Sequence, residues 1–112
     1  LKYDCNHFVP YSSNIDLKPW DHWDGKLIKI PYSWEDDVHC VYGWDWHTDF
    51  LNNRNIKVFD FHPIHIFLNT EHLDRYEKSR EFHGSLEKLS AYVYDGYGTY
   101  NFLIDLINKG IK

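Results

Sequence analysis

Methionine is missing from all 112 residues, including position 1. A processed chain or a piece of a longer reading frame is therefore expected. No secretory h-region precedes the strand-like sequence that begins at Leu1, so the cytoplasm is the expected compartment. No apolar run approaches the roughly 20 residues needed to cross a bilayer, and no membrane span is expected. Basic residues are scarce: 12 Lys and Arg stand against 17 Asp and Glu, a net charge of −5. That balance argues against a nucleic-acid backbone or an anionic membrane as the main partner. Only two cysteines occur, Cys5 and Cys40. Their spacing excludes a zinc knuckle, and their number excludes a disulfide scaffold. Two reduced, buried thiols are the plain reading, and a single disulfide is the other. Six glycines form neither a P-loop nor a dinucleotide fingerprint. No serine sits in a G-x-S-x-G elbow.

Aromatic residues, by contrast, are abundant, with five Trp, nine Tyr and seven Phe. All the tryptophans fall between Trp20 and Trp46. Such a cluster serves either a thick core or a sugar-stacking surface, and core is the commoner use.

Breakers divide the chain. Leu1 to Val9 reads as a short strand ending at Pro10, and Tyr11 to Gly25 as a polar, aromatic loop. Lys26 to Ile30 is a strand closed by Pro31, followed by an acidic, aromatic loop from Trp34 to Asp37. Trp44 to Leu51 has the character of one or two helical turns, with Asn52-Asn53 as a stop. Ile56 to Phe61 is the clearest strand. Thr70 to Glu81 reads as a helix with Asn69 or Thr70 as N-cap. Phe82 to Gly98 is irregular. Thr99 caps a C-terminal helix whose Phe102, Leu103, Leu106 and Ile107 follow helical spacing, with Gly110 as its C-cap. Long connections between strands favour a parallel or mixed sheet over a meander.

In parallel α/β sheets and barrels, functional groups gather at the carboxyl ends of strands. Three strand ends here carry polar clusters: Asp4, Asn6 and His7; Glu35, Asp36 and Asp37; and His62 with His65. The stretch from Val58 to Thr70 is the most telling, because burial of Asp60, His62 and His65 costs free energy unless each finds a partner. A catalytic pocket and an ordinary hydrogen-bonded core both meet that need. Strand alternation puts Asp60 on the face of His62, one layer beneath it. A carboxylate beside an imidazole favours its protonated form, which suits a general acid. The acidic triplet after Trp34 is a metal cluster, a carboxylate that tunes His62, or a solvated turn; Asp36 is the expected inward carboxylate. H-x-x-H can chelate a metal on a helix, but Pro63 opposes a helix running through His62. No metal ligand is assigned within the chain.

The run from Phe59 to Thr70, followed by Arg75-Tyr76, resembles the C-terminal part of polysaccharide deacetylase-like proteins. The likeness is to the branch associated with surface-polysaccharide gene clusters. Ile30-Pro31-Tyr32-Ser33-Trp34-Glu35-Asp36-Asp37 fits the same branch, as does Lys2-Tyr3-Asp4-Cys5-Asn6. The resemblance implies an α/β fold, namely the C-terminal part of a distorted, incomplete (β/α) barrel with parallel strands, and one partial domain over residues 1–112. It implies metal-dependent removal of acetyl groups from N-acetylated sugars, with zinc the usual divalent cation. His62 matches the family's late histidine, the general acid, and Asp36 the carboxylate behind it, with Asp60 a further candidate. Trp34, Tyr32, Asn6 and His65 are the implied glycan contacts. The family's aspartate base and its Asp-His-His metal ligands have no counterpart here, since neither T-F-D-D nor H-x-x-x-H-P occurs. The metal's ligands are thus expected mostly outside this chain. The missing N-terminal half, or a second copy, would complete the site, and hydrolysis by this chain alone is not expected. The rival readings are a non-catalytic carbohydrate-binding or scaffold relative of the same fold, and a structural domain with a satisfied polar core.

Overall fold

The backbone from Lys2 runs parallel to the strand that precedes Pro31. In the computed structural model, which describes residues 2–49 and 58–110, β1 (Tyr3–Asp4) pairs in parallel with β3 (Leu27–Lys29). Pro31 has no N–H to donate, and the regular ladder stops there. Pairing resumes beyond it as an isolated parallel bridge between Phe8 and Tyr32, where Val9 N–H donates to Tyr32 O at 2.9 Å. β2 (Trp20–His22) lies antiparallel on the other side of β3. Two strands joined by residues 23–26 make this a hairpin, which corrects both the loop expected through Gly25 and the expectation of long connections throughout.

Trp34–Asp37, expected as a loop, is instead the end of one element and the start of another. β4 (Trp34–Glu35) pairs in parallel with β5 (Phe59–Asp60), Trp34 opposite Phe59 and Glu35 opposite Asp60. α1 (Asp36–Tyr42) follows without a break. Two parallel pairs and one antiparallel pair make an α/β fold with a mixed sheet arrangement. The expected strand Ile56–Phe61 is seen as β5, and its first two residues lie outside the described ones. Trp44 to Thr48 is not helical, and Phe50 to Asn53 lie outside the described residues.

The chain divides into two compact units. The first comprises Leu1–Glu35 and Thr48–Asp60, and holds the five strands seen among the described residues. Its core includes Leu17, Leu27 and Trp34, with Trp34 edge-on to Phe59.

The second comprises Asp36–His47 and Phe61–Lys112. Its helices are α1, α2 (Pro63–Leu68), α3 (Leu73–Ser79), α4 (Leu86–Leu89) and α5 (Thr99–Gly110). α2 packs on α5 and α3, and α1 on α3. Cys40, Leu68, Leu89 and Phe102 form the apolar core. Thr70 O accepts from both the backbone and the hydroxyl of Thr99, which ties the start of α5 into that core.

The helix boundaries agree that no helix runs through His62, and add one that starts at Pro63. Proline is favoured at the first helical position, where its missing N–H is not needed. His62, in extended conformation, is therefore the N-cap of α2 and His65 lies inside the helix. Asn69 ends α2 in the left-handed conformation, φ 51°, rather than starting the next helix. α3 begins later, capped by the His72 ring, which accepts from Asp74 N–H. A side chain at Gly98 would place its Cβ 2.1 Å from Asn69 O, so only glycine fits against that C-cap. No helix among the described residues is long and apolar enough to cross a membrane. Both cysteines are free thiols; Cys5 is exposed, correcting the expectation that both are buried.

Candidate functional site

α1 and α2 place two carboxylates against two imidazoles within the second unit. Asp36, at the start of α1, is fully buried. Its Oδ2 accepts the backbone N–H of His62 at 2.7 Å, and its Oδ1 accepts that of Asp37 at 2.8 Å. The same Oδ1 lies 2.6 Å from His62 Nδ1. A carboxylate can only accept, so His62 Nδ1 carries the proton. Burial raises the Asp36 pKa above the usual carboxylate value, and the hydrogen bonds from His62 pull part of it back. The His62 side chain is 40% exposed while its carboxylate partner is 0% exposed.

The neighbouring pair is built the other way round. Asp37 is 43% exposed and His65 only 1%. His65 Nε2 donates to Asp37 Oδ1, and its Nδ1 meets Thr70 Oγ1 at 3.0 Å. The two imidazoles stand nearly perpendicular, 5.9 Å apart. The Tyr76 ring lies 5.2 Å from that of His65. A hollow of about 280 Å³ opens here, lined by Asp37, Val41, His62, Ile64, His65, Leu73 and Tyr76.

Of the residues singled out in the sequence, Asp36, His62 and His65 come together. Asp60 sits on β5 opposite Glu35; the carboxylate seen on the His62 ring is Asp36. Trp34 is fully buried, which corrects its expected role as a sugar-stacking surface. Tyr32 is half-buried and stacked on Phe8. Burial, with Glu35 and Asp60 nearby, raises its hydroxyl pKa. Asn6 is exposed, 3.4 Å from Lys29 Nζ, which also pairs with Asp4 at 2.8 Å. Thr70 and Tyr76 were not read as site residues. Neither lies in the strand-end clusters by sequence; helical turns bring both to His65.

Asp36, Asp37 and His65 each offer a ligand atom within 4.8 Å of the others. They do not fit a zinc ion as they stand. Zinc takes at least three protein donors with free lone pairs at about 2.0–2.2 Å. Here the Asp36 oxygens already accept three hydrogen bonds, and both His65 nitrogens are engaged. Burial pushes the Cys40 thiol up to about 12, so it is neither a thiolate ligand nor a nucleophile at neutral pH.

The profile of the WbmS-like polysaccharide deacetylases matches residues 1–80. The chain belongs to this family. A crystal structure of WbmS from Bordetella bronchiseptica, assigned by inference as a polysaccharide deacetylase involved in O-antigen biosynthesis, superposes with a TM-score of 0.88 at 44% identity. The match covers 97% of this chain and 46% of WbmS, so this WbmS-like chain spans less than half the length of that relative. No curated protein matches it.

Proposed function

We propose that this WbmS-like chain forms the C-terminal part of a distorted (β/α) barrel that hydrolyses N-acetyl groups on a surface glycan, and that it supplies the general-acid side of the site. The observation that carries this reading is the Asp36–His62 pair. Its carboxylate is buried and its imidazole faces the hollow. When an acetamide is hydrolysed, the C–N bond breaks, acetate keeps the oxygen delivered by water, and the departing nitrogen needs a proton. An imidazolium steadied at Nδ1 by Asp36 can give that proton from its other nitrogen. The backbone N–H of His62 is held by the same carboxylate, so Asp36 fixes both the ring and its attachment point.

Family enzymes use a divalent metal, zinc as a rule, to activate the attacking water. Asp36, Asp37 and His65 do not fit that ion, so its ligands would come mostly from outside this chain. Residues 1–112 would then be a partial domain, inactive alone and completed by the other part of the family barrel or by a second copy.

The experiment is acetate release from N-acetylated glycans, measured for the 112-residue chain alone and for a complete family domain containing it. Turnover is expected only from the complete domain, with loss on chelation. His62→Ala there should lower kcat by about 10²–10⁴-fold. Undiminished turnover by that variant would overturn the assignment. A second reading, glycan binding without hydrolysis, is favoured by one feature: exposed Tyr42 stacks on Trp44 with ring planes 14° apart. Sugar-dependent Trp fluorescence with no acetate release from the complete domain would select it.

A further inference from the structure

His62 Nδ1 faces a second carboxylate. Asp37 Oδ2 lies 3.9 Å from it, beyond the 2.6 Å partner Asp36. An exposed aspartate at a helix start normally samples several rotamers and binds nothing firmly. Asp37 is different, because the N–H that holds it belongs to a buried imidazole. His65 is itself clamped at its far nitrogen by Thr70 Oγ1, and Thr70 is fully buried. The neutral ring, with its proton on Nε2 towards Asp37, must accept at Nδ1, and the Thr70 hydroxyl is the donor that fits. The order of donors is then Thr70 O–H to His65 Nδ1, and His65 Nε2–H to Asp37.

We propose that His65 and Thr70 are positioning residues that hold Asp37 as a second carboxylate on the His62 imidazole, so that two acids favour its charged form. The titratable groups lining the hollow are Asp37, His62, His65 and Tyr76, and Asp36 lies behind the ring. Among the described residues lining the hollow, none is Lys or Arg. The bearing of this arrangement on hydrolysis rests on the general-acid reading of His62; the arrangement and its test do not.

The test is NMR titration of the His62 imidazole in the whole chain, with isotope-labelled histidine. Asp37→Asn should lower the His62 midpoint by about half a pH unit or more. Thr70→Val, which removes the hydroxyl but keeps the shape, should lower it in the same direction. Thr70→Ser should restore it. A smaller fall in Asp37→Asn would overturn the role of Asp37. A Thr70→Val midpoint equal to wild type would overturn the roles of Thr70 and His65. Should Thr70→Val fail to fold by circular dichroism, Asp37→Asn decides alone, since its side chain is half exposed. Because turnover is not the readout, a chain without deacetylase activity can still pass or fail.

Discussion

Two Asp–His pairs stand side by side with opposite burial. In one, the carboxylate is hidden and the ring is open; in the other, the ring is hidden and the carboxylate is open. The residue types are the same, so chemistry alone does not distinguish the roles. Burial does. The hidden member cannot meet a substrate, and it fixes the direction and protonation of the open one. His62 and Asp37 are therefore the solvent-open groups at the hollow, and Asp36 and His65, though His65 also lines it, are their supports.

The sharpest way to break this comparison is to remove the hidden members. Asp36→Ala would leave two part-buried backbone N–H groups and one imidazole N–H without their acceptor. At about 1–3 kcal/mol for each unsatisfied buried group, the expected loss is about 4 kcal/mol. His62→Ala, on the same hydrogen bond, removes the half-exposed partner and should cost about 1 kcal/mol. Urea unfolding of both variants measures the difference. Equal losses would mean that burial does not separate support from working group.

A third imidazole sharpens the contrast, because burial dominates it. His39 stacks on Trp46 at 3.9 Å and lies edge-on to Trp44. Burial lowers its pKa from 6.5 to about 4. The folded state thus prefers the neutral ring. Its stabilising contribution is fully present above pH 6.5 and is lost as pH falls towards about 4, a loss of about 3 kcal/mol. Asp36 runs in the opposite sense. Its raised pKa means that its contribution is greatest below the ordinary carboxylate range and is lost as pH rises through the folded value. Between pH 6.5 and 4 the His39 effect should dominate, and His39→Phe should flatten that part of the stability curve in chemical unfolding.

These pairs also explain which features were legible in the sequence. The meeting of Asp36 with His62 followed from strand ends and strand direction, and β4–β5 pairing puts those ends together. The C-terminal helix was visible because buried Phe102 and half-buried Leu103 and Leu106 are apolar at helical spacing. α1 was not, because its buried residues are Asp36, His39 and Cys40. They have helical spacing, but two of the three are polar, so an apolar pattern never forms. α2 was hidden by Pro63, read only as opposing a helix through His62 although it also suits a helix start. Asn69 misled for a related reason: asparagine serves at an N-cap and also in the left-handed position after a helix. Trp34 looked like a sugar platform, and only its packing on Phe59 shows it to be core.

Smaller effects belong to the second pair. His65→Leu keeps an apolar volume in place but strands the Thr70 hydroxyl and frees Asp37. The cost should be about 2 kcal/mol, largely the unsatisfied buried hydroxyl. Asp37→Ala removes only the open end. A half-exposed hydrogen bond from a neutral ring contributes about 1 kcal/mol, and the His65 N–H it leaves lies at the edge of the hollow, where water can reach Asp37's place. Urea unfolding should therefore rank His65→Leu above Asp37→Ala, the reverse of what charge alone would give. If Asp37→Ala proved the costlier change, the carboxylate would be the structural member of its pair, and the inverted symmetry of the two pairs would be lost.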